Sequence, residues 1–343
     1  MSIPEPQSVL VVVLDNIGDL VFSSVVFRQL SDRWPGARLS VWCKKYTADI
    51  AGLLPAAPRV FAADPVWHRS PGRGKGNWLD FLRVLRSLRC QDFDLAIIAS
   101  RPWKASASAA LLGIRRRISY DGSRARWFVT DPVPPPPSAP EHVIHELNRL
   151  IAPLFPPDPS IRYRLEPRAM SPRKELILER RRAARGTAPY VVLHAFAGNP
   201  NRCMPLDQWK HVAQGIRRRG FSPLCVGSPA ELERIRSDTP GLADFCEFSD
   251  AYGSGSALDD AILTSQAAFF IGHDSGPLHI ASALGVPVLG LYLPSTPRRT
   301  SPHGMGPATV LHRDSPERIT ADEVLGEFDQ AANSLPNFRS PEL

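Results

Sequence analysis

Cysteine, long apolar runs and metal-ligand clusters are all scarce in this sequence, and each shortage removes a class of protein. The five cysteines (Cys43, Cys90, Cys203, Cys225, Cys246) are odd in number and never stand at CxxC spacing. That usage predicts reduced thiols in a cytoplasmic protein, with neither a disulfide framework nor a zinc site. Cys225, set in an apolar segment, reads as a small buried hydrophobe. No apolar run nears the roughly 18 residues that span a bilayer. Residues 9–14 have no basic lead, so no signal peptide is expected there. The chain has no GxSxG elbow and no HExxH, and GRGKGN at 72–77 lacks the Lys-(Ser/Thr) ending of a P-loop. Asp92, Phe93 and Asp94 resemble a metal-binding DxD motif. They directly precede an apolar strand, on the side of a parallel sheet away from ligands, so no metal role is expected. The arginine runs at 180–182 and 217–219 each close a helix, where cations suit the dipole, and need no nucleic acid to explain them.

What is present suits two domains. At 343 residues, 43% hydrophobic and 22% charged, the chain has material for two globular units of roughly 150 residues each. Its 35 prolines gather at segment boundaries, notably at 134–137, and read as loop stiffeners. The net charge of +7 is uneven: residues 1–150 carry 20 Lys and Arg against 13 Asp and Glu, while the rest carries 21 of each. A basic first half predicts an anionic partner, either a phosphorylated ligand or an acidic membrane surface; a merely solvated basic face is the alternative.

The pattern along the chain is strand, turn, helix, twice over. SVLVVVLDNIGDLVFSSVVFRQL reads as a buried strand, a polar turn and a helix; RLSVWCKK and DLAIIAS read as further strands. Residues 59–77 look irregular and basic, and a helix, WLDFLRVLRSLRC, follows them. After a proline-rich stretch and a charged, helical, solvated segment, YVVLHAFAG starts a second run of strands and helices. Strands apolar throughout, alternating with helices, indicate parallel sheets covered on both faces. The expected fold class is therefore α/β, with two Rossmann-like domains facing a cleft. The boundaries expected are 1–165, a linker at 166–188, a second domain at 189–320 and a terminal helix and tail at 321–343.

Ligands of such sheets bind beyond the carboxyl ends of the strands, so the turns there are the informative ones. In FFIGHDSGPLHIASALGVPVLGLYLP a strand ends near Gly272, Asp274, Ser275 and Gly276 form a turn, and Pro277 opens a helix. A helix start offers N–H groups and a positive dipole end to an anion. Gly276 lets a diphosphate approach, and His279 stands one turn in. A capping turn and a satisfied histidine would read the same way. Asp19, after the first strand, suits a helix start as well as a reactive carboxylate.

The stretch around Asp274 resembles glycosyltransferase family 9, the ADP-heptose:lipopolysaccharide heptosyltransferases. The matching residues are Asp274, Ser275, Gly276, Pro277, His279, Ala281, Ala283, Gly285 and Pro287, then Ser295, Pro297, Pro302 and Gly304. HAFAGNPNRCMPLDQW resembles the family's phosphate loop, with Arg202 at the place of its lysine; CVGSPAELERI resembles its ribose turn, with Glu231 matching. Gly18 and Asp19 match the pair whose aspartate is held to be the base, whereas Val13 stands where family members often carry a cation.

The resemblance implies a GT-B type fold, an acceptor-binding first domain and a nucleotide-sugar donor bound by the second. It implies single displacement with inversion and no metal or other cofactor. Asp19 would take the acceptor proton; Arg202, Glu231, Asp274, Ser275, Gly276 and His279 would hold the donor and meet the departing diphosphate. Acceptor contacts are expected from Asn16, Arg69, Arg73 and Lys75, with the basic stretch compensating for Val13. The acceptor implied is a lipopolysaccharide-core-like glycan, met in the cytoplasm or at the inner face of the plasma membrane. Rival readings keep the fold: transfer to a soluble natural product or a protein, a non-catalytic sugar-nucleotide binder, or a nucleotide-sugar epimerase.

Overall fold

A computed structural model describes residues 5–67, 76–122, 124–137, 139–166 and 173–335. Arg69, Arg73 and Lys75 lie outside the described residues. The chain divides into two compact units, Met1–Ala169 and Met170–Leu343.

The first unit runs β1 (Ser8–Val13), α1 (Ile17–Phe22), α2 (Ser24–Arg33), β2 (Arg38–Cys43), α3 (Ala48–Ala51), β3 (Arg59–Ala62), α4 (Trp78–Arg89), β4 (Leu95–Ile98), α5 (Trp103–Leu111), β5 (Arg116–Tyr120), β6 (Asp131–Val133) and α6 (Val143–Leu150). Its sheet has the order β3-β2-β1-β4-β5-β6, and all its pairs are parallel. Every residue of β1 is buried, which explains its unbroken apolar run: helices cover both faces of a central parallel strand. The stretch expected to be irregular from residue 59 holds β3. That strand lies at the sheet edge with only Phe61 buried, so its sequence lacks the apolar run of a central strand.

The second unit runs α7 (Arg173–Arg185), β7 (Tyr190–His194), α8 (Leu206–Arg218), β8 (Ser222–Cys225), α9 (Pro229–Asp238), β9 (Glu247–Phe248), α10 (Ala257–Thr264), β10 (Phe269–His273), α11 (Gly276–Ala283), β11 (Val288–Tyr292), α12 (Pro297–Thr300), β12 (Ala308–His312) and α13 (Ala321–Asn333). Its order, β12-β11-β10-β7-β8-β9, is the first sheet's order again once strands are counted from the start of each unit.

The charged segment expected as a solvated linker is instead part of this unit. Helix α7 buries Ile177 and Leu178, and its Arg181 side chain is only 4% exposed. Arg181 donates through Nε and Nη2 to Glu247 at 3.1 and 3.3 Å and lies over the Tyr190 ring at 3.7 Å. A buried arginine is stable only when so paired. Helix α13 packs on α8, sending Val324, Leu325 and Phe328 into the core. The contact needs Gly215, where an added Cβ would stand 2.3 Å from Leu325 Cδ1. No helix among the described residues is long and apolar enough to cross a membrane.

Candidate functional site

In a doubly wound sheet the crevice opens where the strand order reverses, between the first and fourth strands. The shared order gives each unit one such point: beyond β1 and β4 in the first, beyond β7 and β10 in the second.

At the first point, Ser100, just past β4, accepts the Leu14 N–H at 2.6 Å and donates to Asp15 Oδ2 at 2.5 Å. This tie joins the turn after β1 to the neighbouring strand. Asn16 caps α1, and its N–H donates to Asp19 Oδ2 at 3.0 Å. The structure thus places Asp19 in the first turn of α1, at the strand ends. Asn16 Oδ1 accepts the Tyr46 hydroxyl at 2.9 Å and Lys44 Nζ at 3.5 Å.

Sequence reasoning missed Lys44. It follows directly on Cys43, the register partner of Val13, and is wholly buried. A cation therefore stands one residue from the place where Val13 lacks one, but on the adjacent strand. Burial pulls the Lys44 ammonium below its usual range, and the charges of Asp15, Asp64 and Asp19 oppose that pull. The signal was the lysine pair closing RLSVWCKK at a strand's carboxyl end.

At the second point, Asp274 gathers the expected residues. Its Oδ2 lies 3.9 Å from Arg202 Nη1 and accepts Thr300 Oγ1 at 3.2 Å; its Oδ1 lies 3.4 Å from His279 Nε2. His279 is buried, while Arg202, on the turn Pro200–Arg202, is half-exposed. Ser275 is the N-cap of α11, yet its hydroxyl makes no cap bond. It donates to the His273 carbonyl at 3.0 Å and stands 3.3 Å from His194 Nδ1. The helix start, with Gly276 first and Pro277 beside it, is therefore not sealed by its own cap residue.

Two buried histidines complete this end. His273 Nε2 accepts the Met204 N–H at 3.1 Å, which anchors the loop carrying Arg202. Burial, with His194 adding to it, pushes the His273 imidazole down to about 3, so it is neutral at ordinary pH. Burial likewise lowers His194, against the charge of Glu231. Glu231 itself stands beyond β8 in the first turn of α9, where its Oε2 accepts the Ser228 N–H and hydroxyl, each at 2.8 Å. Its carboxylate closes a capping box at the start of α9.

The DxD look-alike sits at the opposite edge of the first sheet. Asp94 Oδ2 accepts the N–H groups of Gln7 and Ser8 at 2.8 and 3.0 Å, tying β1 to the start of β4. Among the described residues no three His, Cys, Asp or Glu side chains gather as a metal site.

The profile of glycosyltransferase family 9 (heptosyltransferase) matches residues 81–322. The chain belongs to glycosyltransferase family 9. It is a sugar-transferring enzyme of a heptosyltransferase family. Among relatives, lipopolysaccharide heptosyltransferase 3 of Escherichia coli K12 is 25% identical over 80% of this chain and 79% of its own length. The lipopolysaccharide core heptosyltransferase OpsX of Haemophilus influenzae is 21% identical over 96% and 90%. The second alignment takes in nearly the whole chain, whereas the family profile begins after the Asp19 turn. Among solved structures, E. coli ADP-heptose lps heptosyltransferase II superposes with a TM-score of 0.76 at 20% identity, over 94% of this chain and 98% of that one. E. coli heptosyltransferase WaaC with ADP gives 0.75 at 17%, over 95% and 100%. These likenesses make the fold GT-B in type.

Proposed function

We propose that this family 9 enzyme moves a heptosyl group from ADP-heptose to a hydroxyl of a lipopolysaccharide-core-like glycan. The observation that carries the donor half is the convergence of Arg202, His279 and the unsealed start of α11 on Asp274. A diphosphate leaving group needs cations, N–H donors and a positive helix end, and all three stand at one strand end. The acceptor half rests on Asp19, held in the first turn of α1 by the Asn16 N–H. In the proposed step the Asp19 carboxylate takes the acceptor hydroxyl proton as that oxygen attacks the anomeric carbon. The bond to the diphosphate breaks on the opposite side, so the anomeric centre inverts. Charge on the departing diphosphate is met by Arg202 and the α11 start, without a metal ion.

Support for ADP as the nucleotide comes from relatives alone, since solved family structures hold ADP and an ADP-heptose analogue. Calorimetric titration of ADP, UDP, GDP, CDP and dTDP without added metal tests the donor. ADP is expected to bind best and to bind equally in EDTA. Preference for another nucleotide would discard ADP-heptose while leaving the Asp19 step intact; binding of none would favour a non-catalytic protein.

A further inference from the structure

The described surface of the first unit carries one helix whose outer face is both apolar and basic. Helix α4 (WLDFLRVLRSLR) turns Phe81 and Leu88 inward. Trp78, Leu79 and Leu82 face out, at 64%, 72% and 53% exposure. At helical spacing the same outer face continues with the exposed Arg83, Arg86 and Arg89. Single exposed hydrophobes are ordinary, but three within five residues, rimmed by arginines, are not.

The position of this face matters. Asp80, in the first turn, accepts Lys45 Nζ at 2.5 Å, and Lys45 lies two residues past the end of β2. Asn77 Oδ1 caps the same turn through Leu79 N at 2.7 Å. Trp78 and Leu79 therefore stand at the edge of the sheet where its strands end, which is the edge that carries Asp19.

We propose that the outer face of α4 rests on an anionic lipid bilayer. Trp78, Leu79 and Leu82 enter the headgroup boundary, while Arg86 and Arg89 meet lipid phosphates; Arg83 is held by Asp80 Oδ1 at 2.8 Å. A basic amphipathic helix with Trp and Leu on its surface suits that boundary, because indole rings favour the interface and arginine stems lie along it. The contact brings the proton-accepting edge of the first unit to the membrane plane, where a lipid-anchored glycan presents its hydroxyls. It rests on the sugar-transfer reading only for that last purpose.

Sedimentation of the full chain with phosphatidylcholine vesicles, with and without phosphatidylglycerol, tests the proposal and needs no catalysis. Binding is expected only with phosphatidylglycerol, weakening as salt rises. Trp78→Ser with Leu82→Ser should cut the bound fraction by about tenfold or more at an unchanged melting temperature. Trp127→Ser, which removes a still more exposed tryptophan (74%) from another segment, should leave it intact. Arg86→Gln with Arg89→Gln should remove the preference for phosphatidylglycerol. Absence of sedimentation, or the same loss in Trp127→Ser, overturns the proposal. So does a concentration-dependent dimer in solution that the Trp78 and Leu82 substitutions split, because the face would then belong to a second copy of this chain. Failure here with intact ADP binding would leave the sugar-transfer reading standing.

Discussion

In the first unit the switch point is built from carboxylates around a buried cation: Asp15 and Asp19 beside Lys44, tied by Asn16 and Ser100. In the second it is built from neutral imidazoles and a helix start: His194 and His273 behind Ser275, with Arg202 and His279 around Asp274. The strand order is the same in both, so topology places the two crevices but does not choose their chemistry. In the proposed reaction the first accepts a proton and the second meets the anion.

The largest effect that separates the two points is on turnover. Asp19→Asn should lower the rate of sugar transfer by about two to four orders of magnitude, with ADP affinity unchanged by calorimetry. Normal turnover in that variant would remove the base from the first unit. The next tests how the second unit is held together. Arg181→Met leaves the buried Glu247 without its cation, with only the Tyr252 hydroxyl still donating to it at 2.8 Å, and should cost about 3–5 kcal/mol in denaturant unfolding. If that loss is absent, the pair only fills space.

A smaller effect bears on the donor end. Arg202→Ala should weaken ADP binding by roughly 10- to 100-fold, the worth of a charged hydrogen bond of about 1.5–3 kcal/mol. Transfer at saturating donor should slow as well, because Arg202 meets the charge that develops on the departing diphosphate. An unchanged affinity would leave Arg202 as an ordinary loop cation.

The last concerns pH. His273 is held down to about 3 when folded, against 6.5 when free, so the unfolded chain binds the extra proton between those values. Stability conferred by the buried neutral ring is therefore full above about 6.5 and falls as pH drops towards 3. Asp260 acts with the opposite sign, since burial lifts its carboxyl to about 7. Comparison with His273→Gln isolates the imidazole: its melting temperature should fall less steeply than the parent's from pH 7 to pH 4. Parallel curves would show that His273 takes up its proton in the fold as readily as in the unfolded chain.

Much of the fold was legible because central strands are buried on both faces. SVLVVV, LAII, YVVLH and FFIGH each show this as an unbroken or nearly unbroken apolar run. Edge strands escaped notice for the converse reason. Phe61 is the one buried residue of β3, and β6 is three residues long with Pro132 at its centre. The donor turn was legible as well, because Gly276, Pro277 and Asp274 announce a strand end and a helix start. Lys44, His194 and His273 were not, since single polar residues in apolar segments look alike whether they are structural or functional.

The sequence by itself determined the period of the elements, the two runs of strand and helix, and the family, because local propensity and a fixed motif are written in neighbouring residues. Only the tertiary structure decided that Arg181 leaves solvent for Glu247, that the Ser275 hydroxyl turns away from the helix it caps, and that Lys44 stands beside Asp15 and Asp19. Arg181 and Lys44 depend on partners far along the chain, as does Ser275 through its contact with His194, and burial, which sets these energies, exists only once the sheets have closed.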